Sequence, residues 1–263
     1  DFAEQHLSCD LLVPGFNDYF RALNAYQVPI NRQDVSVFDH DELSPMFIPR
    51  ESQGTGSILN NPHNPSGKRI AQDYIQQCLE TRELVVIDEA FLDFVVPQEQ
   101  QSSIPLLETY PNLVILRSLT KFFSLPGLRI GYAIAHPDRL KRWQEWRDPW
   151  SVNSLAIAMG AACIRDIKFQ ERVWDWLPKA RSHLYQQIQT IECLEPMAGI
   201  ANFLLVKSRC SVTHLQSELL QQHKILIRDC LSFPELGDHY FRVAVLRRRQ
   251  NEQLVQALRQ VKA

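Results

Sequence analysis

Apolar residues in this chain come as short unbroken runs separated by stretches of helical period. "LVVI" at 84–87 is apolar throughout and stops at Asp88, and "LVIL" at 113–116 stops before Arg117 and Ser118. A further run, "IGYAIA", follows at 130–135. None of these alternates as a half-exposed strand would, so they predict strands of a parallel sheet covered on both faces. Between them Ile70, Tyr74, Ile75 and Cys78 recur on one 3.6-residue face, which predicts a helix. Successive β and α units imply an α/β fold, a mostly parallel open sheet with helices on both faces.

The character changes beyond residue 138. "RLKRWQEWRDPWSVNSLAIAMGAAC" and "ERVWDWLPKARSHLYQQIQTI" read as helical, and "ANFLLVKS", "KILIRD" and "YFRVAVL" read as strands. Leu254, Leu258 and Val261 fall in register on a final helix. Helices followed by strands and a last helix predict a smaller C-terminal α+β lobe. The expected division is a large domain over 1–155 and a small one over 156–263, although no Gly/Ser linker marks it.

Composition excludes several classes of partner. The 263 residues are 45% hydrophobic, enough for one large core or a main domain with a lobe. A formal net charge of −2 provides no field for nucleic acid. Arg247-Arg248-Arg249 reads as a solvated approach to the last helix. No apolar run reaches the roughly 18 residues that a membrane span needs. "DFAEQHLSCD" has no basic stretch followed by an apolar one, so it does not read as a signal peptide. The six cysteines form no C-x-x-C pair and the eight histidines no H-E-x-x-H motif. Reduced thiols in a cytosolic protein without a metal site are the expectation.

Ligands of open α/β sheets collect beyond the carboxyl ends of the strands. Three polar segments fall there: "NNPHNPSG" at 60–67, Asp88, and the group Ser118, Thr120 and Lys121. Singly they could be a turn, a helix cap and a surface lysine. Together they suit pyridoxal 5′-phosphate, which needs a lysine for its aldehyde, a carboxylate for its ring nitrogen and a grip for its phosphate. Lys121 would take the aldehyde, Asp88 would keep the ring nitrogen protonated, and Asn64 would donate to the ring 3′-oxygen. Ser118 and Arg129 would hold the phosphate, with the Pro126-Gly127 turn returning the guanidinium.

In order and spacing, "NNPHNPSG", "VVIDEAFLDF" and "RSLTKFFSLPGLRIGYAIA" resemble the signature segments of the class I/II aminotransferase family, fold-type I of the pyridoxal-phosphate enzymes. The resemblance implies that Phe16, in "PGFNDY", stacks on the cofactor ring. It implies that Arg242, in "YFRVAV", pairs with the substrate α-carboxylate, where a planar fork suits better than lysine. It also implies a homodimer acting on a small molecule. Many members have tyrosine three residues after the aspartate; here the residue is Phe91, which removes one hydrogen bond.

Within the family, "DEAFLDF", "PWSVNSLA" and "ILIRDCLSF" resemble cobalamin-pathway members that decarboxylate a phosphorylated amino acid. L-threonine O-3-phosphate is then the implied substrate, with Arg228 a candidate for its phosphate. The alternatives are amino-group transfer from histidinol phosphate or a related amine, and a non-catalytic fragment that keeps the scaffold. The resemblance further implies a segment ahead of "LLVPGF" whose Gly-rich turn offers backbone N–H groups to the cofactor phosphate. A chain without it is expected to lack part of that cup.

Overall fold

The computed structural model describes residues 1–35, 42–43 and 54–261. The N-terminal part contributes β1 (Ser8–Val13), β2 (Ile30–Asp34), β3 (Glu42–Leu43), β4 (Thr55–Asn60), β5 (Arg69–Ile70), β6 (Leu84–Asp88), β7 (Leu113–Ser118) and β8 (Gly131–Ala135). Six of these form the main sheet in the order β2-β1-β4-β6-β7-β8, parallel except for the antiparallel β8. The apolar runs account for the sheet's centre, where Val85, Ile87, Leu113 and Ile115 are fully buried. Of the helices here, α1 (Asn17–Ala25) links β1 to β2, and α2 (Gln72–Thr81) leads into β6 with Tyr74, Ile75, Cys78 and Leu79 on its buried face. Ile70 does not join that helix. It pairs with Leu43 in the short β3–β5 ladder, and α2 starts after Ala71.

"IGYAIA" departs from the expected parallel strand. After β7 comes only the one-turn α3 (Leu119–Phe122), and the Leu119 N–H continues the ladder by donating to the Ile130 carbonyl at 3.2 Å. The chain therefore folds back beside its own strand, since a parallel return needs a longer crossover. Gly131 permits the close approach: a Cβ there would sit 2.6 Å from the Arg117 carbonyl oxygen.

Beyond β8 the chain runs through α4 (Pro137–Trp146), α5 (Ser154–Arg165) and α6 (Ile167–Gln189), then β9 (Leu194–Pro196), β10 (Phe203–Ser208), α7 (Val212–His223), β11 (Arg228–Asp229), β12 (Tyr240–Ala244) and α8 (Arg248–Gln260). These strands form an antiparallel sheet in the order β11-β12-β10-β9, covered by Leu177, Leu184 and Ile188 of α6 and Leu254, Val255 and Leu258 of α8. The tryptophan-rich stretch is two helices, because Arg147 turns extended ahead of Asp148-Pro149 and Asn153 caps α5 afresh. "KILIRD" pairs only at Arg228 and Asp229. Lys224 closes α7 in the left-handed conformation, the Ile225 N–H bonds back to Leu219, and Gln216 takes the Ile227 carbonyl. Helix contacts thus use the backbone groups a longer strand would need. Ile87 and Ile115 share one buried cluster with Leu205, Phe233 and Tyr240, so apolar packing joins the two sheets.

An ion pair is buried in the main sheet's flank. Arg82 donates to Asp10 Oδ2 from Nε at 3.0 Å and from Nη2 at 2.9 Å, while Asn31 donates to Oδ1 at 3.0 Å. Removing one partner of such a pair leaves an uncompensated charge. Arg82→Met is expected to lower the unfolding free energy by about 3–5 kcal/mol. Adding Asp10→Leu should recover much of that loss, as a shifted urea midpoint would show.

Candidate active site

Strands β4, β6 and β7 end side by side, with Asn60 opposite Asp88 and Asp88 opposite Leu116. From β1 the chain moves to β2 on one side and later to β4 on the other, so the carboxyl ends open at a reversal of strand order. A cavity of about 280 Å³ lies there. Phe16, Asn64, Asp88, Ser118, Lys121 and Arg129 all line it, together with Tyr19, which the sequence reading passed over.

Asp88 is the best-held group. Its Oδ1 accepts from the Ala90 N–H at 2.9 Å and its Oδ2 from the Tyr19 hydroxyl at 2.5 Å. Burial raises its pKa, and the Tyr19 bond, the Ala90 N–H and the Lys121 charge oppose that rise. Burial also holds the Tyr19 phenol well above its ordinary range, with the Asp88 charge adding to the effect. Tyr19 stands three residues after Phe16, and the two rings meet edge to face at 5.4 Å. That i, i+3 spacing in "FNDY" was the available signal.

Asn64 belongs to a turn that is buried, unlike most connections. Asn60 secures it: its Oδ1 accepts from the Asn64 N–H at 2.8 Å, and its Nδ2 donates to the Asp88 carbonyl at 3.0 Å. His63 is wholly enclosed, with Nδ1 2.9 Å from Ser66 Oγ, and burial pushes its pKa down to about 4, so it stays neutral. Across the cavity, Ser118 Oγ caps α3 by accepting from the Thr120 N–H at 3.2 Å, which sets the turn carrying Lys121. The Lys121 ammonium lies 5.6 Å from the centre of the Phe91 ring. Arg129 adopts a left-handed φ of 51° and donates from Nη1 to the Pro126 carbonyl at 3.0 Å. A non-glycine residue in that region is disfavoured.

The two expected substrate residues lie outside the cavity lining. Arg242, on β12, reaches it through Asn64, donating from Nη1 to Asn64 Oδ1 at 2.5 Å. Its guanidinium stands 4.9 Å from the Phe203 ring centre and 5.9 Å from that of Phe233, and its buried Nε has no partner. A planar cation held by rings with a donor left over is suited to an anion. Arg228 is not brought to the cavity. It is opposite Arg242 across the β11–β12 ladder and remains exposed.

Behind the cavity sits a second group that sequence reasoning missed. Arg117 donates from Nε to Glu89 Oε2 at 2.8 Å and from Nη1 to Asp93 Oδ1 at 2.6 Å. Glu89 also accepts from the Ser102 hydroxyl and the Ser103 N–H. Period-2 alternation predicts this: Glu89 and Arg117 follow and precede the cavity residues Asp88 and Ser118, so their side chains point the other way. The Trp174 indole donates to the Asp93 carbonyl at 2.8 Å, tying α6 to the same loop.

The donor set at the front fits pyridoxal 5′-phosphate: an amine, a carboxylate already oriented, an amide, and a hydroxyl beside a guanidinium. Residues 14–258 match the family Aminotransferase class I and II. Threonine-phosphate decarboxylase of Salmonella typhimurium is 35% identical over 257 residues, which cover 95% of this chain and 70% of the relative. Histidinol-phosphate aminotransferase 2 of Archaeoglobus fulgidus is 32% identical over 225 residues, or 86% of this chain and 63% of the relative. The crystal structure of the histidinol-phosphate aminotransferase from Clostridium acetobutylicum superposes with a TM-score of 0.86 at 26% identity, covering 98% of this chain and 79% of that one. A match that reaches from the loop after β1 to α8, on the same fold, places the chain in the class I and II aminotransferase family, fold-type I enzymes whose cofactor is pyridoxal 5′-phosphate.

Proposed function

We propose that the protein decarboxylates L-threonine O-3-phosphate to (R)-1-amino-2-propanol O-2-phosphate and CO₂, a step of cobalamin biosynthesis. The observation that carries this reading is the 35% identity to a threonine-phosphate decarboxylase over 95% of the chain. The chain spans 70% of that relative's length, and Lys121, Asp88, Ser118 and Arg129 line one cavity within it.

Bound pyridoxal 5′-phosphate supplies an electron sink for the pair left on Cα when one of its bonds breaks. The residues decide what is presented to that sink. Lys121 is the attachment point for the cofactor aldehyde and the amine at hand to return a proton to Cα. Asp88 would maintain the proton on the ring nitrogen. Ser118 and Arg129 would hold the cofactor phosphate, and Phe16 would cover the ring. Arg242 holds the α-carboxylate in a plane set by Phe203, Phe233 and Asn64, and Arg228 beside it is the cation we assign to the substrate phosphate. Orientation of the α-carboxylate by Arg242 would select between loss of CO₂ and loss of the Cα proton. We also assign a homodimer: Trp150, Leu155 and Ile157 are the exposed apolar surface that a second copy would cover.

Amino-group transfer from histidinol phosphate is the second reading, favoured by the 32% identity to the Archaeoglobus fulgidus aminotransferase. Phe91 does not separate the two, because one missing hydrogen bond of about 1 kcal/mol cannot choose between bond cleavages.

Three measurements test these roles. Borohydride reduction of the loaded protein should fix the cofactor label on Lys121; a label on Lys68 or Lys141 would reassign the site. Asp88→Asn should slow turnover at least about 100-fold, roughly 2.7 kcal/mol of barrier; near-normal turnover would remove Asp88 from the mechanism. Incubation with L-threonine O-3-phosphate should release CO₂ with little keto acid formed. Glutamate produced stoichiometrically from histidinol phosphate and 2-oxoglutarate, without CO₂, would give the assignment to the aminotransferase.

A further inference from the structure

The hydroxyl of Tyr19 takes no part in the steps above, yet it makes a 2.5 Å bond to the group on which the cofactor's electron demand depends. With the cofactor bound, one proton would be shared between the Asp88 carboxylate and the ring nitrogen. On the ring it makes a strong electron sink; on Asp88 it leaves the ring neutral. Burial by itself favours the second arrangement, because it disfavours the charged carboxylate. We propose that Tyr19 is the positioning residue that drives this proton onto the ring nitrogen. The inference rests on the cofactor and holds equally for decarboxylation and transamination.

Three features of the local structure support it. First, among the described residues the groups acting on Asp88 are Tyr19 from α1, Lys121 from α3 and the Ala90 N–H. Of these, Tyr19 alone is a neutral side-chain donor aimed at Oδ2, and a donor to the charged form lowers proton affinity. Second, Tyr19 keeps its own proton, since burial and the neighbouring carboxylate both oppose its ionisation. Third, its place is rigid. Gly15 before the helix lies so close to the β1 end that a Cβ would be 2.3 Å from the Leu12 carbonyl oxygen. The tight turn delivers the Phe16 ring and the Tyr19 hydroxyl from one helical turn, in edge contact at 84°. Stacking and proton placement are thereby built on the same element.

The test compares wild type with Tyr19→Phe, Asp88→Asn and the double variant. In protein loaded with pyridoxal phosphate carrying ¹⁵N in the ring, the wild-type nitrogen shift should be that of a protonated pyridine. Tyr19→Phe should move the proton distribution toward Asp88 by about 10- to 100-fold, the usual strength of a hydrogen bond to a charged group. In cofactor-free protein, unfolding free energy is followed against pH. A carboxylate whose folded pKa is raised contributes stability at low pH that is lost as pH rises through the folded value. Removing the Tyr19 donor raises that value further. The deficit of Tyr19→Phe against wild type should therefore widen with rising pH, and the widening should vanish in the Asp88→Asn background. An unchanged ¹⁵N shift, or a deficit equal at every pH, would overturn the proposal and leave Tyr19 as packing. Should wild type take up no cofactor, the cofactor assignment fails, and the unfolding curves still decide whether Tyr19 governs the charge on Asp88.

Discussion

A carboxylate below the surface of a sheet has to be kept charged against its own desolvation, and the site is organised around that requirement. Asp88 ends β6 between two parallel neighbours whose ladders fix its Cα opposite Asn60 and Leu116. Its two oxygens then receive one donor each, from Tyr19 and from the Ala90 N–H. Hydrogen bonds to an ion are roughly twice as strong as neutral ones, and these two oppose the effect of burial. Asn60 takes the Asp88 carbonyl and the Asn64 N–H together, which relays the position of β6 to the turn over the cavity.

Support from behind comes from a second set of charges. Arg117 bridges Glu89 and Asp93 in a knot that links β6, β7 and the loop at 102–103. Burial raises the pKa of both acids, and Arg117 opposes the rise in each. A network of this kind is stable only when every member is satisfied, so it fixes the strand ends as a unit. Through Trp174 and the Asp93 carbonyl it also reaches α6, which covers the smaller sheet bearing Arg242. The cavity groups and Arg242 therefore come from different sheets joined by one apolar core and a few directed bonds.

The Arg242 environment shows how a cation is prepared for one kind of partner. Burial lowers its pKa, and two rings and one amide oxygen hold its plane while Nε stays without a partner. Binding a carboxylate there would restore the lost solvation of the guanidinium. Arg228 has no such preparation, because it stays in water at the edge of the same sheet.

Periodicity and residue order alone determined the α/β class, the strand ending at Asp88, and the set Asn64, Asp88, Ser118, Lys121 and Arg129 that shares one cavity, while Phe16 came from the family resemblance. Those features are local, since a run apolar on both faces and a polar residue at its end are visible without knowing what packs beside them. The direction of "IGYAIA" was not visible. It depends on whether the twelve residues between β7 and β8 cross over or turn back, and the Gly131 contact with Arg117 is a tertiary matter. Nor could "KILIRD" be resolved, because α7 competes for its backbone groups. Tyr19, Asn60 and the Arg117 knot were hidden for the same reason: a hydroxyl, an amide and a guanidinium are ordinary residue types. Their roles arise only when chain segments up to 69 residues apart in sequence are brought within hydrogen-bond distance by the parallel sheet.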